Sequence, residues 1–540
     1  METLIAMIAD FVIVGGTIHL EADGSQKTDA IAVGGGRVIA VGAADVEKKK
    51  GAKTRVVDLQ GRTVIPGFID AHAHLVSLAR SLAVVDLKGV ASYEAAVARV
   101  AARAKTTKAG AWVVGRGWDQ NLWGMKGFPH HDALSKATPD HPVYLSRVDG
   151  HAALLNRRGL AAVGLDPTRP APPDPAGGRI ERDDAGLPTG VLVDKAMDAV
   201  SGKVERPKGE ALAALVKEAQ TRVAAAGIVE VHEMGIGEAE LNVLRALARE
   251  GALTVRLVVY IDGEDPATLL AQENRGVEAR IAGGMLAVRG AKFFADGALG
   301  SRGAALLEPY SDDAKNAGLL TRDKASLTAA IARATKAGLQ VAIHAIGDRA
   351  NRVVLEALEA QTAPTKPERP RIEHAQVVHE DDVKRFAALG VVASMQPTHC
   401  TSDMAWAPAR LGEKRVPRAY AWRSMLEAKV PLAFGSDFPV EEVEPILGLV
   451  AATLRADGDG YPTGGWNPWQ RLTSAQALSA FSAGAAFAAF EEKEAGSLTV
   501  GKRADLVVVS EDPLAISAAD LRDVRVEMTV VGGRVVFETP

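Results

Sequence analysis

The sequence predicts an α/β protein built on a (β/α)8 TIM barrel, with a small β-sandwich made from both chain ends and an inserted subdomain. Three observations lead to this prediction. The middle of the 540-residue chain alternates strand-like and helix-like segments, which is typical of a parallel sheet covered by helices. Eight apolar segments there can serve as barrel strands. Both chain ends instead consist of short strand-like segments joined by glycine-rich turns.

The two chain ends resemble each other in pattern. The segment DFVIVGGTIHL lies near the start, and VRVEMTVVGGRVVFE lies near the end. Gly-Gly pairs suit tight hairpin connections. Because neither end has enough alternating apolar surface to fold well alone, we expect residues 1–62 and 490–540 to form one composite β-sandwich.

The eight candidate barrel strands fall within residues 63–489, and stretches rich in Ala, Leu, Glu and Lys separate them. An open doubly wound sheet is the alternative, but no glycine-rich dinucleotide fingerprint follows the first strand. The candidate strands are TVIPGFIDAHAH, GIVEVHEMG, LTVRLVVYI, LAVRGAKFFADG, LQVAIHAIGD, RIEHAQ, GVVASMQP and VPLAFGSDFP.

The spacing after the first barrel strand is too long for a single helix. About 150 residues separate His74 from the next candidate strand near Gly227, whereas a strand–helix–strand unit takes roughly 30. We therefore expect an inserted subdomain over about residues 80–200. Because it follows the first strand, it should rise from the C-terminal end of the barrel, where active sites of this fold lie, and serve as a lid.

Composition and charge exclude several classes of function. The formal net charge of −4 gives no basis for binding nucleic acid or an anionic membrane. No apolar run approaches the length that spans a bilayer. Cys400 is the single cysteine, which suits a reducing compartment, and with His399 it lacks the base partner of a thiol nucleophile. The first residues lack the basic region of a signal peptide, so we expect a cytoplasmic protein.

Polar residues fall at the C-terminal ends of the candidate strands, which a barrel brings together. The first strand ends in His72 and His74, whose side chains share one face of an extended strand. Imidazole nitrogen and carboxylate oxygen are ligands suited to Zn²⁺ or a similar divalent ion. The sequence therefore predicts a metal site at this end of the barrel. The other strand ends supply, in chain order, His232, Lys292, His344, His374 and Asp437.

The order His-x-His, Lys, His, His, Asp, together with the terminal β-sandwich, resembles the amidohydrolase superfamily. The segments GFIDAHAHL, KFFADGALGSRGAAL, AIHAIGDRAN and SMQPTH are similar to its amidohydrolase family 3 (YtcJ-like) branch, which includes N-substituted formamide deformylases. The resemblance implies hydrolysis of an amide-type C–N bond in a small molecule, a linear N-acyl or N-formyl amine. The alternatives are cyclic amides, carbamates or esters as substrates, and a non-catalytic metal-binding relative.

The resemblance also implies roles for individual residues. The histidine pair of the first strand would bind the more buried metal ion, and the histidines of the fifth and sixth strands would bind a second. The lysine, as an N-carboxylated lysine, would bridge the two ions, and the aspartate would be both a ligand and the general base. One or two divalent ions, Zn²⁺ by ligand type, are thus expected per chain. The implied metal ligands are His72, His74, Lys292, His344, His374 and Asp437.

Three of the polar strand-end residues have a structural alternative. His232 either assists catalysis and contacts substrate or is a hydrogen-bonded structural residue. Lys292 could instead form a salt bridge with Asp296. Asp437 could cap the helix that follows it, since aspartate is a favoured N-cap residue.

The insertion and the loop after the fourth strand offer candidate substrate contacts. Trp118 and Asp119 in GWDQ, with Asp149 and His151 in SRVDGH, would reach into the barrel mouth. Arg302 could hold a substrate carboxylate through two parallel N–H bonds, and its alternative is a surface arginine. We expect a small-molecule substrate and a homodimer, with neither nucleic acid nor membrane as partner.

Overall fold

A parallel eight-stranded sheet that curves into a barrel forms the centre of the molecule. The structure is a computed structural model that describes residues 7–200, 202–204 and 207–539. Neighbouring strands of this sheet pair in parallel, and each coincides with a predicted segment, which confirms the predicted fold class. In chain order, barrel strands 1 to 8 are Phe68–Ala73, Ile228–Ile236, Arg256–Asp262, Leu286–Phe294, Gln340–Ala345, Arg371–His374, Val392–Met395 and Leu432–Phe434.

The barrel closes between strands 1 and 8 through the loop that follows strand 8. The backbone N–H of Asp437 donates to the carbonyl oxygen of His72 at 2.7 Å. The buried Asp70 carboxylate accepts hydrogen bonds from the backbone N–H and the hydroxyl of Ser436, at 3.1 and 2.6 Å. A side chain at Gly435 would lie 2.4 Å from the His72 nitrogen, so only glycine allows this close approach.

Helices cover the outside of the barrel. In Glu238–Arg249, Leu241, Leu244 and Ala248 recur every three to four residues and are buried, which is the pattern of a helix packed on a sheet. No helix in the described part of the chain is both long and apolar enough to cross a membrane. The α-helices outside the insertion are Ala43–Glu47, Leu75–Ser81, Gly209–Ala225, Glu238–Arg249, Pro266–Arg275, Lys324–Lys336, Asp348–Glu359, Glu380–Leu389, Pro397–Asp403, Ala407–Leu411, Trp422–Glu427, Pro445–Leu454, Ser474–Ser479 and Ala485–Ala488.

Strands from both chain ends form one eight-stranded terminal sheet. Strand Thr63–Pro66 pairs antiparallel with Leu506–Val509, so it belongs to this terminal sheet. The predicted boundary at residue 62 had instead placed it in the first barrel strand. Residues 1–6, where the stretch predicted to lack a signal peptide begins, lie outside the described residues. The strands of the terminal sheet are Phe11–His19, Lys27–Gly34, Arg37–Val41, Arg55–Asp58, Thr63–Pro66, Leu506–Val509, Val526–Val531 and Arg534–Glu538.

The insertion after barrel strand 1 contains a six-stranded mixed sheet with its own apolar core, to which Leu145 and Leu154 belong. Arg116 donates a hydrogen bond of 2.6 Å to the Pro439 carbonyl oxygen in the loop after barrel strand 8. The insertion therefore contacts the C-terminal end of the barrel. Its strands are Val85–Asp86, Val113–Trp118, Val143–Arg147, Ala152–Leu155, Gly178–Arg182 and Pro188–Asp194, and its α-helices are Tyr93–Ala104, Asp132–Ala137 and Arg157–Ala162.

Candidate metal centre

The predicted metal ligands converge at the C-terminal end of the barrel. The ring centroids of His72 and His374 are 4.8 Å apart, and those of His344 and His374 are 4.5 Å apart. One ligand atom from each of His72, His374 and Asp437 lies within 4.8 Å of the other two. Lys292 is buried in strand 4, with its Nζ 3.3 Å from Nε2 of His72. Side chains from strands 1, 4, 5 and 6 and from the loop after strand 8 thus meet at one point.

Hydrogen bonds orient His72 in strand 1 and His74 directly after it. Nδ1 of His72 lies 2.5 Å from a carboxylate oxygen of Glu373, and Nδ1 of His74 lies 2.9 Å from the Met234 carbonyl oxygen. Because a carboxylate and a carbonyl only accept, Nδ1 donates in both cases. Nε2 of each ring is left with a lone pair directed into the site, which is how metal-binding histidines are usually held.

The histidines of strands 5 and 6 are oriented in a similar way. Nδ1 of His374 donates to the side-chain oxygen of Gln396 at 2.8 Å, so its Nε2 is free. Nε2 of His344 lies 3.4 Å from the Gly297 carbonyl oxygen, which leaves Nδ1 as its free ring nitrogen. Four imidazoles therefore offer an unshared nitrogen to the same small volume.

Burial keeps the imidazoles of His72, His344 and His374 in the protonation state that a metal ligand needs. It lowers the pKa of His72 to about 4, with the charge of Lys292 acting in the same direction. Burial likewise holds the pKa values of His344 and His374 well below the usual range. It also lowers the pKa of Lys292 to about 8. The imidazoles of His72, His344 and His374 are therefore neutral at pH 7, and only the neutral form binds a metal ion.

Asp437 supplies the carboxylate of the cluster. Its Oδ1 lies 3.1 Å from Nε2 of His74, and its Oδ2 lies 3.5 Å from Nε2 of His399. Burial disfavours the ionised form, but the surrounding side chains of His74, His72 and His399 lower the pKa of Asp437 below its usual range. Oδ1 nevertheless lacks a well-aligned hydrogen-bond donor among the described residues. A bound cation would satisfy this buried oxygen.

Lys292 does not form the salt bridge with Asp296 that the sequence left open. The Asp296 carboxylate instead accepts hydrogen bonds from the backbone N–H groups of Ala305, Ile346 and Gly347, at 2.8 to 3.0 Å. It therefore orders the loops after barrel strands 4 and 5. Among the described residues, the hydrogen-bond partner of the Lys292 side chain is His72.

His399 is a site residue that the sequence analysis missed. It lies in the helix directly after strand 7, and its ring stacks on that of His374 with centroids 5.8 Å apart and planes 13° apart. Its position just beyond a strand end is the signal that could have revealed it. Cys400 beside it is fully buried, and burial raises the pKa of its thiol to about 12, which excludes a thiolate at neutral pH.

A chain of buried charged and polar side chains runs from the metal centre toward the other end of the barrel. It begins at the contact between His72 and Glu373. Nε of Arg371 donates to Glu373 at 2.7 Å, and Nη1 of Arg371 lies 3.0 Å from Nδ1 of His232. Nε2 of His232 is 3.5 Å from Glu230. Each of these five side chains is at most 1% exposed. We call this series the axial chain.

A cavity of about 1130 Å³ opens above the cluster, between the barrel and the insertion. Arg147 of the insertion is buried between Asp119 and Asp149, with contacts of 2.7 and 2.5 Å. These residues line the cavity together with His151, whose ring centroid is 5.2 Å from that of His344. The structure thus brings three of the predicted substrate contacts, Asp119, Asp149 and His151, to the cavity wall.

The structure corrects three predicted roles. Trp118 is fully buried in the core of the insertion, and its indole N–H donates to the Leu145 carbonyl oxygen, so it is not a substrate contact. Arg302 lies outside the cavity and pairs with Asp312 through bonds of 3.2 and 3.0 Å. His232 belongs to the axial chain and does not line the cavity, so a direct catalytic role does not fit its position.

A family model described as the amidohydrolase family matches residues 55–537. The chain belongs to the amidohydrolase family. The Bacillus subtilis protein named YtcJ is 31% identical over 97% of this chain and 98% of its own length. N-substituted formamide deformylase from Arthrobacter pascens is 26% identical over 98% of both chains. These similarities confirm the predicted family.

The amidohydrolase assignment extends to solved structures. A crystal structure described as an uncharacterized metal-dependent hydrolase from Pyrococcus horikoshii superimposes with a TM-score of 0.75 and is 32% identical in sequence. The match covers 94% of this chain and 99% of that chain. The amidohydrolase described here is therefore a hydrolase of a metal-dependent family, as predicted.

Proposed function

We propose that this amidohydrolase cleaves an amide-type C–N bond in a small molecule, a linear N-acyl or N-formyl amine. One observation carries the proposal: neutral imidazoles, a buried lysine and an ionised carboxylate converge beneath a cavity large enough for such a substrate. The similarity to an N-substituted formamide deformylase over nearly the whole chain supports the bond type.

The donor set fits one or two divalent ions, and Zn²⁺ suits imidazole and carboxylate ligands best. The oxygen of Asp437 that lacks a well-aligned donor supports a cation at this position. When bound, such an ion polarises a carbonyl oxygen and lowers the pKa of water to about 7. The proposed ligands are His72, His74, Lys292, His344, His374 and Asp437.

We also propose that Lys292 is N-carboxylated, in which form it would hold two ions. In that modification the neutral amine Nζ forms a bond to the carbon of CO₂ and loses one of its two protons, which gives a carbamate. A lysine ammonium beside two dications would be repelled, whereas its carbamate supplies two anionic oxygens. The burial of Lys292 and its contact with His72, rather than with a carboxylate, support this assignment.

Asp437 is the proposed general base and then the general acid. Its carboxylate is ionised at neutral pH and takes a proton from the attacking water. The new C–O bond forms at the substrate carbonyl carbon. The same carboxyl group then delivers the proton to the leaving nitrogen as the C–N bond breaks. The products are a carboxylic acid, which is formate for an N-formyl substrate, and an amine.

A substrate panel assayed with Zn²⁺-loaded protein tests this function. We expect release of amine from N-formyl and N-acyl amines at least tenfold faster than cleavage of matched lactams, carbamates and esters. Faster cleavage of one of those three classes would replace the linear amide as substrate. No turnover of any compound by fully loaded protein would favour a non-catalytic metal-binding relative.

A further inference from the structure

A second cavity, of about 710 Å³, lies at the opposite end of the barrel from the metal centre. Its walls include Arg256, the first residue of strand 3, and Arg289 in the N-terminal half of strand 4. The cavity is also lined by Phe490, which follows helix Ala485–Ala488, and by Gly36 in a hairpin of the terminal sheet. We call this space the base cavity. The base cavity is therefore separate from the proposed catalytic site, which lies at the C-terminal ends of the barrel strands.

Positive side chains outnumber negative ones on the walls of the base cavity. Five arginines and three glutamates line it. One of the glutamates, Glu278, is already bonded to Arg245, which does not line the cavity. Among the residues that line the cavity, positive charges therefore outnumber negative ones. The arginines are Arg37, Arg256, Arg280, Arg289 and Arg503, and the other two glutamates are Glu491 and Glu494.

Four of the five arginines have carboxylate partners. These ion pairs are short, so they neutralise most of the positive charge on the cavity walls. The pairs are Arg37 with Glu494 at 2.8 Å, Arg256 with Asp505 at 2.8 Å, Arg280 with Glu491 at 2.7 Å and Arg503 with Glu491 at 2.5 Å.

Arg289 is different from the other four arginines. Its Nε is buried without a hydrogen-bond partner, and no ion pair joins its guanidinium to the described residues. The guanidinium stacks on the Phe490 ring at 3.9 Å, and Arg369 stacks on the same ring at 4.4 Å. The nearby Glu491 is already held by two other arginines. A buried Nε–H without an acceptor is costly, and an anion bound to this guanidinium would offset that cost.

We propose that the base cavity binds a small molecule carrying a carboxylate or phosphate group, with Arg289 as its principal ligand. The planar fork of N–H donors on a guanidinium matches the paired oxygens of either group. The volume falls within the range of small-molecule sites. Arg280 and Arg503 also contact Glu230, the last member of the axial chain, so the bound anion would lie next to residues that connect to His72.

Calorimetric titration of inorganic phosphate and of succinate tests this site. The proteins compared are the wild type, Arg289→Met and the control Arg333→Met. Arg333 is a surface arginine paired with Glu273, so its loss removes the same charge away from the cavity. We expect saturable binding of at least one anion to the wild type and the control, weakened at least tenfold by Arg289→Met. Tighter phosphate or tighter succinate binding would assign the chemical class.

Two further features make the test decisive. Both anions also bind divalent metal ions, but binding at the metal centre would be the same in Arg289→Met as in the wild type. Arg289→Lys keeps the charge and loses the fork, so it replaces Arg289→Met if that variant does not fold, with a smaller loss of affinity. Wild-type affinity in both Arg289 variants, or no saturable binding of either anion, would overturn the proposal whatever the fate of the proposed hydrolysis.

Discussion

Asp437 is constrained by its backbone as well as by its side-chain contacts. Its φ of 63° lies in the left-handed region that few non-glycine residues adopt, and the backbone bond to His72 holds it there. We predict that Asp437→Asn lowers kcat by about 10²–10⁴-fold, because an amide cannot accept the proton. Steady-state kinetics on metal-loaded protein measures this. Asp312→Asn, outside the cavity, is the control, and kcat within tenfold of wild type for Asp437→Asn would contradict the general-base role.

Glu373 acts on the metal centre through His72. Its carboxylate accepts the Nδ1 proton at 2.5 Å and so fixes which nitrogen faces the site. We predict that Glu373→Gln weakens metal affinity by about 10–100-fold, as loss of such a partner typically does. Chelator competition measures the affinity. Glu380→Gln, at the start of a surface helix, should have no effect, and equal affinities for both variants would exclude this role.

The residue types at the strand ends were predictable, but their surroundings were not. Histidines and an aspartate placed after apolar strands indicate a converging polar cluster. The sequence could not show that Trp118 points into the core of the insertion, because an aromatic residue suits a core and a binding site equally. His399 was missed because it lies in a helix after its strand. Arg302 was wrongly placed in the site because sequence does not show that it pairs with Asp312 of the same loop.

At the level of elements, the insertion is stabilised by a pH-dependent contact. His151 donates to Asp194 at 2.8 Å, joining the loop before one strand of the insertion to the last residue of another. Burial opposes protonation, but the hydrogen bond and charge of Asp194 raise the pKa of His151 to about 9, from 6.5 when exposed. Because the folded pKa is the higher one, the contact stabilises fully below pH 6.5 and is lost as the pH rises through 9.

We therefore predict that His151→Gln lowers the free energy of unfolding more at pH 6 than at pH 9.5. Urea denaturation of wild type and variant at several pH values measures the difference. A difference that does not change between these two pH values would show that the charged pair contributes nothing.

Arg371 of strand 6 joins several barrel strands. It donates to the Ala71 carbonyl oxygen of strand 1 at 2.6 Å and to the Ser394 hydroxyl of strand 7 at 2.9 Å, besides its bonds to Glu373. We predict that Arg371→Met destabilises the fold by about 3–5 kcal/mol, because it leaves a buried carboxylate unpaired. Denaturant unfolding measures this. Adding Glu373→Met should recover part of the loss, and a single-variant effect below about 1 kcal/mol would contradict the argument.

The eight barrel strands were predictable because each is a short apolar run bounded by turns and separated by helical stretches. The start of strand 1 was not. Thr63–Pro66 is as apolar as Phe68–Ala73, yet it lies in the other sheet. The chain passes between the two sheets at Gly67, where a side chain would lie 2.4 Å from Val229. Sequence pattern shows that both segments are buried, but not which sheet each one joins.

At the scale of the whole molecule, the barrel separates two cavities of different chemistry. The metal centre lies under the insertion at the C-terminal end, and the base cavity lies beside the terminal sheet. The axial chain of buried side chains connects the two ends. The predicted homodimer stays a prediction.

Metal content, measured by elemental analysis of the freshly purified protein and of the His72→Ala/His74→Ala double variant, tests the central claim most directly. We predict one or two divalent ions per wild-type chain and a marked loss in the double variant, whose first-strand ligands are gone. A mass increment of one CO₂ under native conditions would accompany two ions if Lys292 is carboxylated. Full occupancy in the double variant, or no ion in the wild type even after reconstitution with Zn²⁺, would contradict the proposed metal centre.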